Sequence, residues 1–300
     1  MPNTLDHIIL LVSPHDFENV PSWLSDNFTI IDGGTHTKGT SRNKLIIFKD
    51  GTYLELFSWV DPQPSGVPPH ADFPAWANKP EGQIIDFALT GDDAQANYTA
   101  MTQRLENSNI NVTYSQPAPG GRNRTDGKAL KWTTTRPTQQ PDNNNSSFTP
   151  FFCHDVTPRN LRVQYDDPKI TTHPCGATGV AHLITSVPPP HYQSTVDLYG
   201  AILGPEGVQT SSLSADQCPS PYVRGTRFGF LPPVTHETQK HTSIDVYVAR
   251  ESAGREVGKQ AIYSGNPGFQ ELVLWTERDE RRDRRLDDRE GGLGLCFRLE

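Results

Sequence analysis

The chain has 300 residues, of which only 34% are hydrophobic, while 24 glycines and 26 prolines make one residue in six against a usual share of about 12%. That composition excludes a helical bundle or coiled coil and favours short strands joined by long loops. A net charge of −8 argues against a phosphate backbone as partner, and no apolar run approaches the roughly 18 residues of a membrane span, so neither nucleic acid nor membrane is expected.

Residues 5–12 (LDHIILLV) form an apolar run broken by one Asp-His pair, the pattern of a buried strand. Phe17, Val20 and Leu24 then follow helical spacing, with Pro21 starting or kinking the helix. A short strand over 28–31, a turn at Gly33-Gly34, a polar loop to Arg42 and strands over 44–49 and 53–60 come next. The last two are joined by Asp50-Gly51, a strong hairpin signal. After a Pro-rich stretch the same order returns, with a strand over 83–90 and a helix opening near Asp92. That helix carries Ala94, Tyr98, Met101 and Leu105 on one face. Short strands over 110–114, 129–135 and 149–156 complete the second unit, with Gly120-Gly121 read as another turn.

A third unit opens at Gly179 (GVAHLITSV), and its helix places Tyr192, Val196, Tyr199 and Leu203 at the same offsets. The run FQELVLW (269–275) echoes YLELFSW (53–59), putting Glu271 where Glu55 stands and His182 where His7 stands. Residues 204–250 read as irregular, and 278–289 as a self-neutralising charged tail. The organisation expected is a pair of modules over 1–168 (1–60 and 82–168, with a linker over 61–81), then a third, irregular module over 169–300.

His7 and Glu55 sit inside apolar runs, where a carboxylate needs a cation, a proton or a metal. If the first and fourth strands lie side by side, the two residues share a face and make half of a divalent-metal site. The alternative is an outward strand edge or a His–Glu hydrogen bond without metal. The four cysteines, Cys153, Cys175, Cys218 and Cys296, are too widely spread for a zinc knuckle. Together with the absence of a charged and apolar leader they suggest a cytoplasmic protein, in which the six Asn-X-Ser/Thr sequons, Asn144 and Asn145 among them, are chance.

The runs LDHIILLV, GGTHTKGTSRN (33–43) and DGTYLELF (50–57) resemble the glyoxalase-like group of the vicinal oxygen chelate superfamily. IIDFALT (84–90), GGRNRTDGKALKW (120–132) and PFFCHDVTPR (150–159) resemble its fungal branch, and the likeness fades beyond about residue 203. The resemblance implies an α+β fold in which repeated βαβββ modules form a paired, cup-shaped β-sheet, here with a third partial module. It also implies a divalent metal (Zn, Mn or Fe) held by His and Glu from first and fourth strands, here His7 and Glu55. The second module departs from the pattern, holding Asp86 at the first-strand position and Cys153, His154 and Asp155 on its last strand. His154 is taken as the third ligand, against pairing with Asp155 on a strand edge. Asp86 is taken as base or fourth ligand, against a hydrogen-bonded structural acid, and Asp155 as a further catalytic carboxylate.

His36, in the loop after Gly33-Gly34, suits a general base at the cup mouth or a solvent-facing loop residue. Asn43 suits a polar substrate anchor or a turn cap. Arg122, Lys131 and Trp132 suit an enolate, carboxylate or phenolate, with a surface cluster as the alternative, and Arg159 is a substrate contact or the partner of Asp155. The function expected is a metal-dependent isomerase or lyase that polarises a carbonyl or enol oxygen of a small metabolite, as in secondary metabolism. Alternatives are a ferrous ring-cleaving dioxygenase, a metal-independent cyclase or dehydratase, or a non-catalytic small-molecule binder. The partner expected is a small-molecule substrate, and the reading allows a homodimer.

Overall fold

A computed structural model describes residues 3–108, 110–124, 126–139, 149–205, 208–214, 222–234, 241–249, 268–278, 284–287 and 296–300. Asn144, Asn145, Cys218 and much of the charged stretch 278–289 lie outside the described residues. In chain order the first half holds β1 (Thr4–Leu11), α1 (Pro14–Glu18), α2 (Ser22–Ser25), β2 (Ile31–Thr35), β3 (Ser41–Ile47), β4 (Tyr53–Trp59), β5 (Gln83–Thr90) and α3 (Ala94–Glu106). Then come β6 (Thr113–Tyr114), β7 (Ala118–Asn123), β8 (Ala129–Thr135), β9 (Pro137–Gln139), β10 (Phe151–Asp155), α4 (Arg159–Arg162) and α5 (Pro168–Thr171). The second half holds β11 (Ala177–Val187), α6 (Tyr192–Leu203), β12 (Gln209–Leu213), β13 (Tyr222–Phe230), β14 (Thr242–Ala249), β15 (Gly268–Thr276) and β16 (Cys296–Leu299). None of the described helices is long and apolar enough to cross a membrane.

Eight strands form one sheet in the order β2-β3-β4-β1-β5-β10-β8-β7. It is built from two four-strand units joined through the antiparallel pair β1–β5, and within the units β1 runs parallel to β4 and β10 parallel to β5. The expected neighbouring of first and fourth strands is therefore present. The two end strands, β2 and β7, come into contact, so the mixed α+β fold has a curved, cup-shaped sheet. Both faces of the central strands are buried, which is why they read as near-continuous apolar runs. Leu5, Ile8, Leu10, Leu54 and Leu56 pack toward the helices, while Ile9, Leu11, Phe57, Ile85, Ala88, Phe151 and Cys153 line the cup.

Several local expectations change. The first predicted helix is two short ones, because Pro21 caps α2 instead of continuing α1. Gly33-Gly34 and Gly120-Gly121 are not turns but parts of the end strands β2 and β7. A Cβ at Gly121 would stand 2.6 Å from the Leu130 carbonyl oxygen, so glycine there permits tight strand approach. Residues read as irregular in the third unit form β12, β13 and β14, giving β11-α6-β12-β13-β14 in the same order as the first unit. A second sheet, β12-β13-β14-β11-β15-β16, repeats the first up to its sixth strand. β15 pairs antiparallel with β11, as β5 does with β1, so it opens a further unit and does not close the third.

The two halves share one apolar core and are tied by polar contacts. Asn3 Nδ2 donates to the Leu203 carbonyl at 2.9 Å, and Arg104 Nε to that of Ala201 at 2.7 Å. Asp50, in the β3–β4 turn, accepts from the backbone N–H of Val180 at 3.1 Å and from the N–H and hydroxyl of Thr52. Burial pushes the Asp50 carboxyl up to about 6 against these hydrogen bonds. The folded state therefore holds its proton more tightly than the unfolded chain. Its contribution to stability is complete below about pH 4 and is lost as pH rises through 6.

Gly179→Ala tests the junction, since a Cβ there would lie 2.1 Å from Asp50 Oδ2. The expected cost is about 1–3 kcal/mol, read as a fall of several degrees in melting temperature. Asp50→Asn is expected to lower the melting temperature at pH 4.5 by losing the Val180 bond, and to flatten the decline between pH 4 and 6.5 by one proton's share. An unchanged slope would remove Asp50 from the account.

Candidate active site

The first cup encloses a cavity of about 330 Å³ reached by His7, His36, Asn43, Tyr53 and Glu55 from the first unit, and by Arg122, Trp132, Arg136, Phe151 and Cys153 from the second. Phe73 and Trp76 close one side. They belong to the stretch expected as a linker, which instead folds over the cup. There Asp72 accepts from the N–H groups of Lys38, Thr40 and Ser41 and from the hydroxyls of Thr40 and Ser41, holding its carboxyl below the ordinary range despite partial burial.

A register shift between Leu5 and His7 in the β1–β5 ladder marks a bulge, which lets adjacent Asp6 and His7 both serve the cup side of the strand. His7 stacks on Tyr53 at 4.6 Å. Its Nδ1 lies 2.7 Å from Asp6 Oδ2. Burial pulls the Asp6 carboxyl upward, but Arg162 and Arg159 outweigh it and hold the group well below the ordinary carboxylate range. Asp6 is thus an acceptor, and His7 Nδ1 carries the hydrogen. Its Nε2 faces Glu55 Oε2 at 3.4 Å.

His36 is fixed in the same sense. Ser41 Oγ donates to Asp72, so it accepts from His36 Nδ1 at 3.0 Å, leaving Nε2 bare 3.7 Å from Glu55 Oε1. Burial lowers the His36 pKa, opposed in part by Glu55, which keeps the ring neutral at pH 7. Asn43 Nδ2 donates to Glu55 Oε1 at 2.8 Å and Arg122 Nη1 to Asn43 Oδ1 at 3.1 Å. Gly33 makes room for this chain, since a Cβ there would lie 2.0 Å from Asn43 Oδ1. Among the described residues no lysine or arginine reaches ion-pair distance of Glu55, and no three His, Cys, Asp or Glu side chains stand together as a ready-made metal cage.

Of the residues expected at the site, His7, His36, Asn43, Glu55, Arg122 and Trp132 converge on the cavity. His154 does not. Successive residues of β10 face opposite ways, so Phe151 and Cys153 enter the cup while His154 stacks on Phe152 and approaches Asn97 of α3 at 3.4 Å. It cannot join His7 and Glu55 as a ligand. Asp86 sits behind Trp76, accepting from its Nε1 at 3.0 Å, and burial raises its carboxyl to about 6 against the pull of Arg136. Asp155 and Arg159 lie beneath the cavity in an ionic cluster with Asp6 and Arg162. Lys131 is exposed and faces away from Trp132's side of β8.

Register identifies the second unit's counterparts. Tyr53 pairs with His7 in one unit and Phe151 with Ala88 in the other, so Ala88 corresponds to His7 and Cys153 to Glu55. Neither supplies an anionic donor: burial pushes the Cys153 thiol up to about 12. The second sheet repeats the positions differently again. Ile184 pairs with both Asp245 and Glu271, as Ile9 pairs with Glu55 and Asp86, so Asp245 and not Glu271 is the counterpart of Glu55. Arg227 grips Asp245 through Nε and Nη2, Arg298 grips Glu271 at 2.8 Å, and Glu300 lies 3.1 Å from His182. His182 and Glu271 belong to this second cup and do not meet His7 and Glu55.

The family model described as "Glyoxalase-like domain" matches residues 5–201. A hypothetical protein from Staphylococcus aureus is similar in structure over 99% of both chains, at 14% identity and a TM-score of 0.62. A mutant 4-hydroxymandelate synthase from Streptomyces coelicolor is similar over 92% of this chain and 72% of its own, at 13% identity and a TM-score of 0.51. The comparison with curated protein sequences returned no match.

Asp6→Asn would leave two buried guanidinium groups short of an anion. Its expected cost is about 3–5 kcal/mol, measured by urea unfolding. A cost below 1 kcal/mol would show that the cluster does not hold the cup floor.

Proposed function

This chain belongs to the glyoxalase-like domain family of the vicinal oxygen chelate superfamily, and on that basis we propose that it is an enzyme whose first cup holds one divalent cation on His7 Nε2, Glu55 and His36 Nε2. The observation that carries this reading is Glu55, a buried carboxylate faced by His7 and His36. His7 Nε2 and His36 Nε2 stand 3.4 Å and 3.7 Å from its carboxylate, which also accepts from the Asn43 amide at 2.8 Å. With no lysine or arginine at ion-pair distance among the described residues, such a carboxylate favours an added cation or a proton there. Two histidines and a carboxylate suit a divalent transition metal, and Asp6 and Ser41 fill the role of outer partners that orient ligating rings. The counterpart Asp245 takes an arginine instead, which shows how the same fold position is satisfied when the protein supplies the charge.

When bound, such a cation polarises a carbonyl or enol oxygen. The residues of the chain do the rest. Arg122 and Trp132 bind and orient the substrate, and Phe73, Trp76 and Phe151 exclude water from a space sized for a small molecule. Isomerase or lyase chemistry on a small oxygenated metabolite is the reaction class that suits this site. Ala88 and Cys153 favour a second reading, in which half the family's donor positions are lost and the cup works without metal. There a proton takes the cation's place between His7 and Glu55, and His36 acts as general base.

Calorimetric titration of chelator-stripped protein with Mn²⁺ and Zn²⁺ tests the choice. One site per chain is expected, weakened by His7→Ala or Glu55→Gln by more than the roughly 10–100-fold that loss of an outer partner costs. Absence of binding to the wild type, with turnover that survives chelation and disappears in His36→Ala, selects the metal-free reading.

A further inference from the structure

The first cup contains a second charged group that the proposed chemistry leaves unused. Arg136 follows β8 with its backbone clamped, its N–H donating to Ser115 Oγ and its carbonyl accepting from the Ser115 N–H at 2.8 Å. Its guanidinium carbon lies 4.2 Å from the ring centroid of Phe151, 4.9 Å from that of Phe73 and 5.2 Å from that of Trp76. These rings hold the cation by its faces and offer nothing to its N–H edges.

The other cations on the cavity wall are engaged. Lys38 donates to the Ala71 carbonyl, Arg162 to Asp6, Asp155 and the Tyr53 hydroxyl, and Arg122 to Asn43. Arg136 alone among the four has no hydrogen-bond acceptor among the described residues. Asp86, the carboxylate whose charge most offsets the burial of Arg136, is turned to Trp76 Nε1 and to the Phe87 N–H. A planar fork held by aromatic faces, with its edge unpaired in a confined cavity, matches a carboxylate that accepts two parallel N–H bonds.

We infer that the cup takes a small carboxylic acid with a planar or aromatic body, its carboxylate on Arg136 and its oxygenated end toward His7 and Glu55. Phe73, Trp76, Phe151 and Trp132 flank the body of such a molecule. The assignment deepens the proposed function and rests on it for the orientation of the reacting end. The anion site itself needs no metal.

Trp76 and Trp132 border the cavity, so quenching of their fluorescence reports its occupation. The probes are 4-hydroxybenzoate, 4-formylbenzoate and 4-acetylbenzoate, which carry a carboxylate at one end of a planar body and an oxygen function at the other, each with its methyl ester as a neutral control, titrated into wild-type, Arg136→Gln and Arg136→Lys protein. At least one acid is expected to bind saturably, about tenfold or more tighter than its ester. Arg136→Gln should erase that difference, and Arg136→Lys, which keeps the charge without the fork, should restore part of it. Thermal melts of both variants establish folding, and the partial rescue by lysine cannot come from a misfolded protein.

Repeating the titrations on chelated protein separates the two proposals. Failure of cation binding with the preference for acid over ester intact sinks only the metal. Equal binding of acid and ester, no binding of any probe, or an acid preference that persists in Arg136→Gln overturns the anion site.

Discussion

One buried carboxylate, Asp6, orders the floor of the first cup. It is wholly shielded from solvent, and water cannot balance its charge. Arg159 and Arg162 of α4 do so, and each is bound in turn to Asp155 of β10. Arg162 also donates to the Tyr53 hydroxyl on β4, and Arg159 to the Gly51 carbonyl in the β3–β4 turn. The requirement to neutralise one charge thus draws strands from both units and a helix beyond them into one rigid cluster. Asp6 Oδ2, which also accepts from Arg162 Nη1, fixes which nitrogen of His7 carries hydrogen. Without that carboxylate, neither the tautomer nor the ring orientation on which the site depends would be determined.

The two sheets place the same backbone geometry in two chemical states. In the second, among the described residues, Asp245 is matched by Arg227 and Glu271 by Arg298, and Glu300 lies beside His182. In the first, Glu55 is left to two histidines and an amide around an open cavity. A fully paired carboxylate is a structural component, whereas one with no lysine or arginine at ion-pair distance leaves room for a further partner. Both outcomes arise in the same fold because neighbouring strands alone decide what faces the carboxylate, Arg227 on β13 in one sheet and Asn43 on β3 in the other.

Much of this was legible in the sequence, for physical reasons that differ by element. The limits of β5 and β8 follow from apolar runs between turn residues, and α3 and α6 from apolar stripes at helical spacing. His7 and Glu55 stood out because a polar residue inside a buried run must have a partner. His154 misled because FFCHD is buried on both faces, so no alternation tells which neighbour enters the cup. Asp72, Phe73, Trp76 and Arg136 were missed because they reach the cavity from outside the central strands. Their roles depend on contacts distant in sequence that no local pattern encodes. β7 was missed because a glycine-rich end strand has the composition of a turn.

The antiparallel seam between β1 and β5 divides the cavity by origin. The donors that would hold a cation come from residues 7–55, and Arg122, Arg136 and most of the aromatic wall from residues 73–151. The halves meet across a ladder of backbone hydrogen bonds, and the Arg122–Asn43 bond and the Asp6 cluster tie their side chains together. In a duplicated fold of this kind, the reactive half can stay fixed while the binding half changes. A lineage could then acquire new substrates by altering Trp132, Arg136 and their neighbours, which those ties do not include.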